Sequence, residues 1–179
     1  MKLILILGPM KSGQSLELIS YFAPLKYSKT SFALFHPQKN VRDEMVWSRN
    51  GLALEAKKIE SLKDLAKETA EVIGIDEIHM FDPAGIAVID KMLKEGKKFV
   101  ISGLDLDHQK RLMPIVHRLL ELGPDEIRYK RAVCEKCQSY EAVFTQIFQN
   151  GEPIPKTMPA SIPDDGTYEY VPVCRTCYK

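Results

Sequence analysis

The sequence has no long apolar run and no excess of one charge. Its longest uninterrupted apolar stretch is about five residues, whereas a membrane-spanning helix needs roughly 18 to 20. The 25 Lys and Arg residues nearly balance the 24 Asp and Glu residues, which gives a formal net charge of +1. A near-neutral chain is compatible with a local phosphate site but does not suggest a polyanion as the main partner. We therefore expect neither a membrane protein nor a nucleic-acid-binding protein.

Cysteine is also scarce, and its four residues fall into two CxxC pairs. Two disulfides in a secreted chain would account for four cysteines, but the apolar start MKLILILG is too short for a signal peptide. Without an export signal, metal ligation explains paired cysteines better than disulfides do. We expect a cytoplasmic protein in a reducing compartment.

One expected residue is missing from a glycine-rich stretch. Residues 8–15, GPMKSGQS, follow the apolar run LILIL and match the phosphate-loop pattern GxxxxGK[ST] except at Gln14. A lysine at that position would bring a positive charge to the β- and γ-phosphates of a nucleoside triphosphate. Gly8 and Gly13 permit a tight turn, the following helix presents its positive end to an anion, and Ser15 can ligate Mg²⁺. A glycine-rich turn that binds nothing is the alternative interpretation.

The pattern of apolar runs predicts the fold class. The 179 residues suffice for one well-buried core plus a small appended module. Up to about residue 130, short β-branched or aromatic runs alternate with helical stretches. This alternation predicts βαβ units and an α/β fold, a parallel sheet with helices on both faces. The polar, non-periodic residues 36–51 and the basic residues 108–114 are predicted to be loops.

The character of the sequence changes after residue 130. Two cysteine pairs, five prolines between Pro153 and Pro172 and the lack of a helical period are typical of a small loop-rich module. We expect such a module to be held by something other than a core. We therefore divide the chain into a nucleotide-binding domain, 1–130, and a metal-binding domain, 131–179.

Two adjacent carboxylates follow a hydrophobic strand in VIGIDEIHMF, residues 72–81. A carboxylate at the end of a parallel strand beside a phosphate loop is placed to hold Mg²⁺, and this residue is Asp76. Glu77 points in a different direction and could take a proton from an attacking hydroxyl, as phosphoryl transfer to an alcohol requires. Two solvated acids at a strand end are the alternative.

The two CxxC pairs are the strongest metal signal in the chain. CEKC supplies Cys134 and Cys137, and CRTC supplies Cys174 and Cys177. Four thiolates can close around one tetrahedral Zn²⁺ and leave no open coordination position, so the ion would be structural. A redox role for the pairs, or plain buried cysteines, is the alternative.

These motifs, in this order over nearly the whole chain, resemble the thymidine kinase family of bacteria, vertebrate cytosol and poxviruses. GPMKSGQS resembles the family's GPMxSGK[ST], FHPQKNVRDEMVWSRNG resembles FKPxxDxR...SxxG, and GIDEIHMF resembles DExQFF. SGLDLDHQKRLMP resembles the GLDxxFxxxPF loop, and AVCEKCQSYEAVFTQ with YVPVCRTCY resembles the zinc motifs. The resemblance implies a P-loop NTPase (RecA-like) domain and a small zinc-ribbon-like C-terminal domain that closes as a lasso.

The resemblance also implies an activity, ATP-dependent 5′-phosphorylation of thymidine or a related deoxynucleoside, and a role for particular residues. Glu77 would be the catalytic base, Ser15 and Asp76 would serve Mg²⁺, and four cysteines would bind Zn²⁺. The nucleoside would be bound by Met10, His108, Thr145 and Tyr170. The ATP phosphates would be bound by Gly8, Pro9, Met10, Lys11, Ser12, Gly13, Gln14, Ser15, Arg42 and Asp76. Family members are generally homotetramers, so we expect a homotetramer or a homodimer, inhibited by the triphosphate end product.

Several positions depart from the family's pattern. Gln14 replaces the phosphate lysine, His79 the glutamine of DExQFF, and Ile147 the arginine of FTxR. Asn40 replaces the loop aspartate, and the lasso keeps one glycine, Gly166, next to acidic residues. Lys11 is the nearby cation that could compensate for Gln14, unless its side chain points to solvent. The second hypothesis is therefore a pseudokinase, a nucleotide-binding regulatory or structural subunit without turnover.

Overall fold

The computed structural model describes residues 2–39, 45–47, 53–159, 162 and 166–179. Three α-helices and eleven strands lie within these residues. The helices are α1 (Gln14–Phe22), α2 (Ile86–Lys94) and α3 (Pro114–Glu121). The strands are β1 (Lys2–Gly8), β2 (Phe32–Pro37), β3 (Met45–Trp47), β4 (Ala53–Glu55), β5 (Lys57–Ile59), β6 (Val72–Ile75), β7 (Lys98–Leu104), β8 (Glu126–Tyr129), β9 (Phe144–Gln149), β10 (Glu152–Pro153) and β11 (Glu169–Val173).

Six strands form one parallel sheet in the order β5-β2-β6-β7-β1-β8. The alternating strand and helix patterns of the sequence therefore predict the α/β class correctly. Successive residues of β1 point to opposite faces, so Leu5 joins one buried cluster and Ile6 the other. The cluster on Leu5's face includes residues of α2 and α3, and the cluster on Ile6's face includes residues of α1. Both faces of the sheet are thus covered by helices.

Two segments differ from the sequence-based expectation. Residues 36–51 were expected to be a loop, but β2 continues to Pro37 and β3 pairs with β4 as an antiparallel hairpin. Val46 and Leu54 pair across this hairpin and are 2% and 4% exposed, because they pack against the α1 face of the sheet. One of the helical stretches expected before residue 130, Leu62–Lys67, forms a 3₁₀ helix, which begins with a capping box between Ser61 and Asp64.

The C-terminal part contains a three-stranded antiparallel sheet, β10-β9-β11. The expectation that it lacks a core of its own is wrong, because a separate apolar cluster lies beneath the cysteines. This cluster consists of Ala132, Cys134, Ala142, Phe144, Phe148, Val171, Val173 and Cys174. The division of the chain at residues 130 and 131 stays a prediction. No helix among the described residues is long and apolar enough to cross a membrane.

Candidate functional site

A loop joins β1 to α1 at the carboxyl edge of the large sheet. Gly13, the residue before α1, has φ 85° and ψ 25°, a left-handed conformation that glycine adopts without strain. Gly8 is required by space, because an added Cβ would lie 2.8 Å from the carbonyl oxygen of Lys130. Ser12 is buried, and its hydroxyl has no hydrogen-bond partner among the described residues. The arrangement of strand, tight loop and helix start is the one that binds phosphate groups.

Gln14 folds back into this loop. Its amide Nε2 donates to the carbonyl oxygen of Gly8 at 2.7 Å and to that of Pro9 at 3.0 Å, and the residue is 9% exposed. A neutral amide with two backbone partners stabilises the turn but brings no positive charge to it. The side chain at the position of the missing lysine is therefore already hydrogen-bonded to the backbone of the loop.

Lys11 forms a contact that the sequence did not predict. It has a left-handed φ of 62°, and its ammonium forms an ion pair with the carboxylate of Glu135, between the first two cysteines. The side chain is thus paired with a residue of the C-terminal part while it remains exposed. Whether Lys11 contacts phosphate stays a prediction, and any such contact would compete with this pair.

Asp76 lies directly after β6 and is buried. The hydroxyl of Ser102 on β7 donates to its Oδ1 at 2.6 Å, and the nearby hydroxyl of Ser15 also favours the charged form of this carboxyl. Burial, and next the charge of Glu77, raise the pKa of Asp76 to about 6. The structure thus brings the side chains of Ser15 and Asp76, the two residues expected to serve a divalent cation, close together.

Glu77 is held in an unusual backbone conformation. Its φ of 52° and ψ of 42° are left-handed, which is rare for a residue with a side chain and is found at functional sites. A 3₁₀ helix, Ile78–Met80, follows it and packs closely on β7. Gly103 permits this contact, because an added Cβ would lie 2.9 Å from Cγ2 of Ile78. Glu77 lines a cleft.

His79, which replaces the family's glutamine, lies beside Glu77 in this turn. Its Nδ1 is 3.5 Å from Oε2 of Glu77 and accepts the backbone N–H of Leu104 at 3.2 Å. An accepting Nδ1 places the proton of the neutral imidazole on Nε2. His79 therefore connects the turn that carries Glu77 to the end of β7.

The cleft is lined by residues from both parts of the chain. It contains all four residues that the resemblance assigned to the nucleoside, together with Glu77. The described lining residues are Met10, Lys39, Glu77, His79, Met80, Leu104, Leu106, Asp107, His108, Met113, Thr145, Ile147, Ile162 and Tyr170. Ile147, which stands where the family has an arginine, contributes an apolar surface instead.

A tight turn holds His108 in the wall of the cleft. Oδ1 of buried Asp107 accepts the backbone N–H groups of Gln109 at 2.8 Å and Arg111 at 2.9 Å. The carbonyl oxygen of His108 accepts the hydroxyl of Tyr178. Burial lowers the pKa of His108, so its ring is neutral at pH 7 and can lie flat against an uncharged base. The sequence did not predict a role for Asp107 or Tyr178. No sequence pattern marks an acid that stabilises a turn, or a tyrosine far along the chain that contacts this turn.

Tyr170 and Thr145 form another part of the wall. The hydroxyl of Tyr170 donates to the carbonyl oxygen of Ile162 at 2.6 Å, and Oγ1 of Thr145 accepts the backbone N–H of Met10 at 2.9 Å. The C-terminal part thus contacts the phosphate loop directly. Arg42 lies outside the described residues, as does Asn40.

The four cysteines come together at one end of the C-terminal sheet. Their sulfur atoms all lie within 4.8 Å of one another, and the sulfurs of Cys137 and Cys174 are 3.8 Å apart. Tetrahedral Zn²⁺ with bonds of about 2.3 Å to sulfur needs sulfurs about 3.8 Å from each other. The cluster is compatible with a structural zinc ion held by Cys134, Cys137, Cys174 and Cys177.

The fold and the loop define a P-loop-type α/β protein, and comparison with known proteins gives its family. The thymidine kinase family model matches residues 1–178. A thymidine kinase of Chloroflexus aurantiacus is 32% identical over 97% of this chain and 92% of its own length. One from Thermococcus kodakarensis is 32% identical over 95% of this chain and 90% of its own length. One from Pseudothermotoga lettingae is 29% identical over 99% of this chain and 94% of its own length. The chain belongs to the thymidine kinase family.

Proposed function

We propose that this protein transfers the γ-phosphoryl group of ATP to the 5′-hydroxyl of thymidine or a related deoxynucleoside. One observation carries the proposal: Glu77 lies in the same cleft as Met10, His108, Thr145 and Tyr170. The similar proteins of Chloroflexus aurantiacus and Pseudothermotoga lettingae are thymidine kinases, which supports thymidine as the substrate. A nucleoside in this cleft would present its hydroxyl to a carboxylate beside a phosphate loop.

The transfer step uses Glu77 as the base. The 5′-oxygen forms a bond to the γ-phosphorus while the bond between that phosphorus and the β–γ bridging oxygen breaks. ADP leaves with the electron pair of that bond, and the hydroxyl proton passes to the Glu77 carboxylate. The left-handed backbone at Glu77 orients the side chain for this role before substrate binds.

The phosphate loop would hold ATP through its backbone N–H groups and the start of α1. The buried Ser12 hydroxyl, without a partner among the described residues, is available to donate to a phosphate oxygen. Ser15 and Asp76, whose side chains lie close together, would hold Mg²⁺, which when bound neutralises phosphate charge. We further propose that the enzyme works in the cytoplasm as a homotetramer or homodimer.

A second candidate is a pseudokinase that binds nucleotide and acts as a regulatory or structural subunit. The observation that favours it is Gln14, whose neutral amide is bonded to its own loop. Glu77 and Asp76 argue against it, because a binding protein needs neither a strained base nor a metal ligand beside the loop.

A transfer assay separates the two candidates. Purified protein is incubated with γ-labelled ATP, Mg²⁺ and each deoxynucleoside in turn, with Glu77→Gln as the control that keeps size and hydrogen bonding. We expect label in thymidine with the wild type and a rate about 10² to 10⁴ lower with the variant. ATP binding by both proteins should be nearly equal in calorimetry. Binding of ATP without transfer to any deoxynucleoside would establish the pseudokinase instead.

A further inference from the structure

Position 14 of the phosphate loop brings no positive charge to the proposed transfer step. Negative charge is spread over the γ-phosphoryl oxygens in the transition state, and enzymes of this kind place a cation against them. At position 14 this chain has an amide that is bonded to Gly8 and Pro9. Another cation is therefore needed if the site is active.

The basic side chains closest to the phosphate loop are already paired. The ammonium of Lys11 is bonded to Glu135. Lys130 and Arg128, on the far side of the loop, both contact the carboxylate of Glu17 in the first turn of α1. Moving any of these toward a phosphate would leave an acid without its partner.

Lys39 differs from these residues in both position and pairing. It lies two residues beyond the end of β2, and among the described residues that line the cleft it is the only lysine or arginine. It is exposed, and no hydrogen bond or ion pair joins its ammonium to another residue in the part of the chain that the structure describes. Its long, flexible stem leaves the ammonium able to move within the cleft.

The sheet order places Lys39 and Glu77 after neighbouring strands. Strand β2 is hydrogen-bonded to β6, whose end carries Asp76 and Glu77. The backbone N–H of Asp76 donates to the carbonyl oxygen of Phe35 at 2.9 Å, which fixes the two strand ends to each other. Lys39 and Glu77 therefore line one cleft from two neighbouring strand ends.

We propose that Lys39 supplies to the transferring phosphoryl group the positive charge that Gln14 does not. The inference rests on the proposed function and adds a residue to it. Lys39 takes no part in bond making: Glu77 accepts the hydroxyl proton and ADP carries away the electron pair, while the ammonium stabilises the charge on the phosphoryl oxygens.

Steady-state kinetics of Lys39→Met and Lys39→Arg test this role. Wild type and variants are compared at saturating ATP and Mg²⁺ with the deoxynucleoside that the wild type phosphorylates. We expect Lys39→Met to lower kcat by about 10²-fold and KM for that nucleoside to change less than about threefold. Lys39→Arg, which keeps the charge, should retain most of the activity. Lys63→Met is the matched control, since Lys63 is an exposed lysine outside the cleft lining.

A double variant distinguishes charge from a structural role. If Lys39 replaces the phosphate-loop lysine, Gln14→Lys should raise kcat by a larger factor in the Lys39→Met background than in the wild type. If Lys39 only stabilised the fold, a positive charge at position 14 would not compensate for its loss.

Three results would overturn the inference alone. These are a wild-type kcat in Lys39→Met, an Arg variant as impaired as the Met variant, and a gain from Gln14→Lys that is no larger in Lys39→Met than in the wild type. A wild-type protein that phosphorylates no deoxynucleoside has a different meaning, because it rejects the proposed function and the role of Lys39 together.

Discussion

The backbone N–H of Met10 donates a hydrogen bond of 2.9 Å to Oγ1 of Thr145, 135 residues further along the chain. The ion pair of Lys11 with Glu135 lies next to it in sequence and links the same two parts of the molecule. Two consecutive residues of the phosphate loop, Met10 and Lys11, are thus held by contacts with the C-terminal part. The conformation of the loop therefore depends on a segment that is not part of the large sheet.

Removing the acceptor on Thr145 should weaken this link. In Thr145→Val the backbone N–H of Met10 loses its hydrogen-bond acceptor. Thr145 is only 4% exposed, so water does not readily replace the lost hydroxyl. We expect a loss of about 1 to 3 kcal/mol in the free energy of unfolding and weaker ATP binding. Urea denaturation and calorimetry measure the two effects. Thr145→Ser keeps the hydroxyl and should behave like the wild type, and equal stability of the Val and Ser variants would contradict the argument.

Removal of zinc should also affect the phosphate loop, through the contacts of Met10 and Lys11 with the C-terminal part. Elemental analysis of natively purified protein should give one Zn²⁺ per chain, held by the four cysteines within 4.8 Å of one another. A chelator should unfold the small module, because metal binding and folding are coupled in such sites. Since Met10 and Lys11 lose their partners, ATP affinity should fall and recover when Zn²⁺ is returned. Protein without stoichiometric metal, or ATP binding unaffected by the chelator, would refute this.

The predictable parts of this structure are those with a local signature. The alternation of apolar strands and helices predicts the parallel sheet, and the CxxC spacing predicts the cysteine cluster, since both patterns involve neighbours in sequence. The hairpin of β3 and β4 was missed because strands of three residues show no periodicity. The core of the C-terminal part was missed because its residues, from Ala132 to Cys174, are scattered among prolines and polar residues.

The pairing of individual side chains could not be predicted. Lys11 and Glu135 are 124 residues apart, and only the packed fold shows that one neutralises the other. Lys39 was not singled out, because it precedes the motif's arginine in a polar stretch that resembles any loop. Its position in the cleft depends on the order of the strands, which places the end of β2 next to β6. The hydrogen bonds from Gln14 to its own loop likewise have no counterpart in the sequence pattern.

A lysine at position 14 should increase the rate of transfer. In Gln14→Lys, an ammonium replaces an amide at the position from which the family's lysine reaches the phosphates, so stabilisation of the phosphoryl group should increase more than binding of ATP. We expect kcat to rise by about tenfold or more with a smaller change in ATP affinity. The matched control is Gln14→Met, which removes the amide donors to Gly8 and Pro9 without adding charge. A control as fast as the Lys variant would show that the rate does not depend on the charge.

The buried carboxyl of Asp76 should make stability depend on pH in a predictable direction. Its pKa is about 6 in the folded protein against an ordinary value of 3.8, because burial and Glu77 disfavour the charged form. The folded state therefore binds more protons than the unfolded state between these values, and stability without Mg²⁺ falls as pH rises from about 4 to above 6. In Asp76→Asn this loss should be absent. The free energy of unfolding of the variant, relative to the wild type, should thus increase by up to about 3 kcal/mol between pH 4 and pH 8. Urea denaturation at several pH values measures this difference, and parallel pH profiles for the two proteins would show that Asp76 is not the group responsible.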